Sequence, residues 1–313
     1  MHSMNTKKLF IVCVLFVITA FTQTSFAQGL NWEGQTGAFL TPFAYTAGSP
    51  NTRFGKPELA FHYLNGGNVI GNDYQLSITE GLARHFEFGY TGAFSSSGNV
   101  GPNGSGNYPP SYLFSNGFSE FHGKLKILNE NARRTKWVPA IALGAIGRTG
   151  IQRGSFFVTA QRPGSSETNC DFYVVATKTI TQFKKVLFLL NLGEKVTNAS
   201  ILGVAGDAPH WQGRLFGAAA VVVRGPAKSA LVLGSEALQQ PRSIEGLNAS
   251  LGETATIPTS LSYFVRVIPH MERSPLQVDF AVAQLAGKIA DVPGRVVDLN
   301  ARARVSTGVS YHF

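Results

Sequence analysis

Few side chains in this sequence are placed to do chemistry together. In "FSNGF" (114–118) Ser115 stands beside Asn116, and the next histidine along the chain is His122. A hydrolase needs a nucleophile, a base and an orienting group within reach of one another. Leu113, not a histidine, precedes Ser115 by two residues, and the stretch closes a long turn-rich segment. A surface turn is the expectation here, with no catalytic residue and no enzymatic activity. His62, His85, His122, His210, His270 and His312 have no metal-ligand spacing, and Cys170 is the single cysteine beyond residue 27. Neither a metal nor a cofactor is expected. "GPNGSG" (101–106) lacks the Lys-Ser/Thr pair of a phosphate loop.

Charged residues spaced by two are the better candidates. Lys124 and Lys126 form one such pair, and Arg302 and Arg304 form another. On a β-strand that spacing puts both members on the same face. Two basic pairs facing one lumen would make a stripe able to attract anions.

Strands are needed to place them, and the sequence supplies the pattern. "HFEFGYTGAF" (85–94) sets Phe86, Phe88, Tyr90 and Phe94 against His85, Glu87, Gly89 and Thr91. "FSEFHGKLKIL" (118–128) sets Phe121, Leu125 and Ile127 against Glu120, His122, Lys124 and Lys126. "PLQVDFAVA" (275–283) and the closing "RARVSTGVSYHF" (302–313) repeat the period of two. About twelve such runs fall near 57–65, 73–80, 85–95, 118–128, 136–148, 170–182, 186–197, 212–224, 228–238, 257–268, 275–286 and 302–313. Two of them, 171–182 and 186–196, have mixed faces whose inside and outside the pattern does not assign.

The connections alternate between long and short. "EGLAR", "NENARRT", "FKK", "GPA" and "PHMERS" are short, and those between them are mostly long and rich in turn residues. Transmembrane β-barrels have this layout, with short periplasmic turns and long outer loops. The expected fold is all-β: a transmembrane antiparallel β-barrel of about twelve strands (10 to 14). A soluble β-sandwich would also alternate, but it explains neither the loop lengths nor the aromatic last residue. Trp137, after "NENARRTK", reads as an aromatic girdle residue on the periplasmic rim.

The beginning of the chain reads as an export signal over 1–27. Lys7 and Lys8 precede the apolar run 9–21, and Ser25 and Ala27 occupy the positions before a cut at Gln28. Cys13 lies inside the apolar run, so a lipoprotein site does not fit. Cleavage would leave 286 residues with a net charge of +7. Residues 28–56 are expected to be a lead-in, a lumen segment or a further strand. Gly48 and Pro50 mark turns there without choosing among these. Residues 57–313 are expected to form the barrel.

"LTPFA" (40–44), "TEGLARHFEFGY" (79–90), "FYVVATKT" (172–179) and "ILGVAGD" (201–207) resemble a domain-of-unknown-function family of Gram-negative, porin-like outer-membrane barrels. "TITQFKKVLF" (179–188) is more apolar than that family's pattern. The resemblance implies an outer-membrane location and brings no catalytic or ligand residues. An end with Tyr311 and Phe313 resembles the signal read by the barrel-assembly machinery.

Strand parity then assigns Glu87, Glu120, His122, Lys124, Lys126, Arg214, Arg224, Glu236, Arg266, Asp279, Arg302 and Arg304 to the lumen. With histidine neutral, seven basic groups stand against four acidic ones. The expected function is passive passage of small solutes, anions favoured. The alternative is a non-conducting structural barrel that binds through its outer loops. Expected partners are outer-membrane lipid, lipopolysaccharide, the assembly machinery and small solutes, and no nucleic acid.

Overall fold

A computed structural model of the chain describes residues 29–47, 54–65, 72–96, 117–132, 135–150, 166, 168–183, 186–199, 202–203, 206–241, 244–245, 254–255, 259–270, 276–286, 289–290, 296–297 and 303–313. Twelve antiparallel strands close into a barrel. They are β1 (Glu58–Asn65), β2 (Asn72–Leu82), β3 (Phe86–Ser96), β4 (Phe118–Leu128), β5 (Ala140–Gly150) and β6 (Thr168–Ile180). The circuit continues with β7 (Val186–Ala199), β8 (Asp207–Arg224), β9 (Ala230–Leu238), β10 (Thr259–Ile268), β11 (Leu276–Ala286) and β12 (Arg304–His312).

Each strand pairs with its neighbours in sequence, and β12 closes on β1, with Val309 opposite Phe61. Closure leaves no sheet edge, which a membrane span requires. The amide of Phe313 donates to the Pro57 carbonyl at 3.2 Å, and its ring packs edge-on against Tyr311. The terminal aromatic thus fastens the lower end of the seam.

The outward faces form an apolar belt. Phe88, Phe121, Leu143, Phe172, Leu192, Leu215, Tyr263, Phe280 and Val305 are all exposed around the circuit. In water such a continuous surface would be an aggregation site. Facing lipid tails, it is the surface a bilayer covers. Trp137 is exposed in the short β4–β5 turn. The β2–β3 turn is three residues long, 83–85, with Ala83 and Arg84 both at positive φ (50° and 65°). That geometry matches the right-handed twist of the flanking strands.

The two runs with mixed faces have a clear parity in the structure. On β7, Leu190 and Leu192 face out, while Leu187 and Leu189 face in and are 1–2% exposed. The pattern was mixed because this part of the interior is apolar too. Leu187, Leu189, Ala218, Ala220, Val222, Val232 and Phe264 line it.

Candidate functional site

The interior of the barrel is filled by residues 29–47. Every residue from 29 to 47 is buried except Trp32, Leu40 and Tyr45, which are partly so. Gly29 lies within 2.8 Å (from its Cβ position) of the Gln277 and Arg266 side chains, both at the short-turn end of their strands. Thr46 donates to the carbonyl of Arg84 in the β2–β3 turn at 3.0 Å. The segment therefore enters and leaves at the short-turn mouth. Inside, it folds on itself. Gly29 and Leu30 pair with Gly37 and Thr36, and the Trp32 amide donates to the Phe39 carbonyl at 2.7 Å.

An irregular backbone at membrane depth has no water to satisfy its N–H and C=O groups, so the wall must do it. Charged wall residues take this role. The carboxylate of Glu236 accepts from the backbone amides of Phe39, Leu40 and Thr41 and from the Thr41 hydroxyl, at 2.7–3.0 Å. Glu87 accepts from the amides of Thr36 (3.1 Å) and Ala47 (2.8 Å) and pairs with Lys124 at 2.8 Å. Lys124 in turn donates to the carbonyls of Thr36 and Tyr45, both at 3.0 Å. Arg266 pairs with Asp279 at 2.7 Å and donates to the carbonyls of Gly37 and Ala38 at 3.0 and 3.2 Å. Neutral groups complete the set. The Ala44 amide donates to Thr177, and Asn191 donates to the Pro42 carbonyl.

Side chains of the segment reach the wall as well: Tyr45 donates to Glu130, Gln35 accepts from Tyr173, and one such contact is an ion pair. Glu33 is the single charged residue of 29–47. Its carboxylate pairs with Arg148 and, at 3.0 Å, with Lys195. Arg148 is fixed by Glu120 at 2.7 Å and Asp171 at 2.8 Å, and Lys195 by Asp171 at 3.3 Å. Beside Glu33, Gly34 takes φ +76° and touches β2 and β3, where a Cβ would meet Ser77 at 2.9 Å and Thr91 closer still. Only glycine combines that backbone with that approach.

The apolar part of the wall receives the rest. Phe39 and Phe43 pack into the cluster formed with Leu187, Leu189, Val222, Val232 and Phe264. Ala44 joins a second cluster with Ile146, Tyr173, Val175 and Phe216.

Of the residues assigned inward by strand parity, Glu87, Glu120, His122, Lys124, Glu236, Arg266 and Asp279 are buried in the interior. Lys126, Arg224 and Arg304, near strand ends, and Arg214, midway along β8, share the inward parity but are half-buried. Arg302 lies outside the described residues, as does Ser115. The expected basic excess is not what the buried interior holds. Among the described residues, seven buried carboxylates (Glu33, Glu58, Glu87, Glu120, Asp171, Glu236, Asp279) face four buried cations (Lys124, Arg148, Lys195, Arg266). Parity over-weighted the half-buried arginines and missed Glu58, Asp171, Arg148, Lys195 and Glu33. Arg148 ends a run, "AIALGAIGR", in which both faces are apolar or small. Lys195 follows Leu187, Leu189 and Asn191 on a face that turns from apolar to polar midway. Glu33 was legible as the lone charge in a stretch with no strand parity. Lys124 and Lys126 share a face of β4, but Lys124 is spent on Glu87 and the segment's carbonyls, not on an open stripe.

No family model matches the chain, and no curated protein does. Among solved structures it is similar to the KdgM porin (TM-score 0.44, 9% identity, 82% of this chain and 99% of that one). It is also similar to the NanC porin (TM-score 0.42, 9% identity, 82% and 98%) and to an anion-selective porin from Comamonas acidovorans (TM-score 0.32, 9% identity, 83% and 98%). These likenesses concern overall barrel architecture alone.

Proposed function

We propose that this protein is a porin-like outer-membrane barrel whose lumen is a path for small solutes, held shut by its own residues 29–47. The observation that carries the reading is the coupling of wall to segment. Glu87, Lys124, Glu236 and Arg266, the charges that would line an open bore, bond the segment's backbone instead. Both ends of the segment lie at the short-turn mouth, so it can withdraw without threading through the barrel. Every described bond that holds it is non-covalent, and Cys170 has no cysteine partner beyond residue 27. The long-connection end is the outer one, by the layout of such barrels. The buried charges give no general preference for anions.

Liposome swelling tests this. Intact protein should admit arabinose-sized sugars no faster than empty vesicles. A variant lacking residues 29–47, shown to be folded by its heat-dependent gel migration, should admit them readily. Swelling with the intact chain, or none with the folded deletion, would overturn the reading. In the second case the alternative of a non-conducting barrel working through its outer loops takes its place.

A further inference from the structure

Most bonds between the wall and residues 29–47 go to backbone groups and would serve any sequence of the same path. The Glu33 contact differs. Here two wall cations converge on one carboxylate, with Arg148 on one oxygen and Lys195 on the other at 3.0 Å. The other two guanidinium nitrogens of Arg148 are already committed. Nε goes to Glu120, and Nη1 to Asp171 (2.8 Å) and Asn169 (3.0 Å). The cradle is therefore held in position by the wall and presents one guanidinium nitrogen and one ammonium inward. Two convergent donors on a fixed frame form a carboxylate site. Arg148 and Lys195 are both buried, which strengthens the contact, and Glu120 and Asp171 hold them in place.

We propose that the Arg148–Lys195 cradle is a binding site for a carboxylate-bearing solute, and that Glu33 fills it as an internal stand-in. Its role for a passing solute rests on the reading of residues 29–47 as a displaceable plug. A solute carboxylate arriving from the long-connection side would compete with Glu33 for the same two donors. The cradle is local, so it needs no basic excess along the lumen.

The test uses the full chain carrying Glu33→Ala. Removing the CH2–carboxylate leaves a gap the size of acetate. Chymotrypsin cleavage within residues 29–47, at Trp32, Phe39 or Phe43, should become about tenfold faster or more. Sodium acetate should reverse this and raise the unfolding temperature, in a saturable way. Acetamide, and sodium chloride at equal ionic strength, should not. Adding Lys195→Gln should weaken the acetate effect. If acetate acts on Glu33→Ala no more than acetamide and chloride do, or acts equally when Lys195 is replaced, the cradle is not a carboxylate site. This readout needs no conduction. A closed deletion variant with acetate protection would overturn the solute path and keep the cradle, and an open deletion variant without acetate protection would do the reverse.

Discussion

The polar and apolar parts of the lumen hold the same segment by different means. On β3, β4, β5 and β6 the wall offers Glu87, Lys124, Arg148, Tyr173 and Thr177, each aimed at a particular atom of residues 33–47. On β7 to β10 it offers mainly Leu187, Leu189, Ala220, Val222, Val232 and Phe264, which receive Phe39 and Phe43 as bulk. Directional bonds fix the path of the backbone, and hydrophobic burial supplies non-directional adhesion. Glu236 and Arg266 bring directional bonds into the apolar side, next to Phe39. The lesson is that a lumen charge need not serve a passing ion. At membrane depth it also substitutes for the water that an irregular backbone lacks.

Substitutions can break this comparison, and the largest effect is expected from Lys124→Met. It strands the buried Glu87 and orphans two carbonyls, so the docked state should lose about 3–5 kcal/mol. Chymotrypsin sensitivity of residues 29–47, read on a gel, measures the loss. Combining it with Glu87→Leu should not restore docking, because the amides of Thr36 and Ala47 then lose their acceptor as well. An ordinary buried ion pair replaced by apolar residues would be near neutral, so recovery in the double variant would mean the pair does not serve the segment.

Phe39→Ala tests the apolar side. Phe39 is 1% exposed, and its truncation should cost about 3 kcal/mol or somewhat more. The expected signature is faster release of the segment with the bonded path unchanged, so amide exchange should rise evenly across residues 36–47. After Lys124→Met it should rise first at Thr36 and Ala47. Identical exchange patterns for the two variants would erase the distinction between the two sides.

Thr177→Val is the smallest change. It leaves the Ala44 amide without its acceptor and should cost about 1–3 kcal/mol. Deleting Phe313 probes the wall and not the lumen. It removes the bond to Pro57 and the ring on Tyr311, and pulse-chase labelling should show slower assembly into the outer membrane. Unchanged assembly would mean the seam closes without it.

The barrel itself was legible in the sequence because lipid on one side and polar groups on the other impose a period of two. β4 matches the sequence-based boundaries at 118–128, and Tyr311 near the end of β12 and Phe313 just beyond it are both exposed. Legibility failed where both faces are apolar. Leu187 and Leu189 inside, with Leu190 and Leu192 outside, leave no alternation to read. It failed again in residues 29–47, whose conformation is set by contacts far away in the chain. The bond from Phe39 to Glu236 spans 197 residues, and that from Thr36 to Glu87 spans 51. No local pattern encodes such partners. Hence strand parity offered Glu87, Lys124, Glu236 and Arg266 only as lumen charges, while their bonds to residues 29–47 were not foreseen.

Single-channel recording in a planar bilayer, with the intact protein and the variant lacking residues 29–47 refolded in parallel, tests the central claim most directly. The account predicts a silent bilayer for the intact chain and discrete conductance steps for the folded deletion. Equal steps from both would contradict it, since residues 29–47 could not then be what closes the lumen.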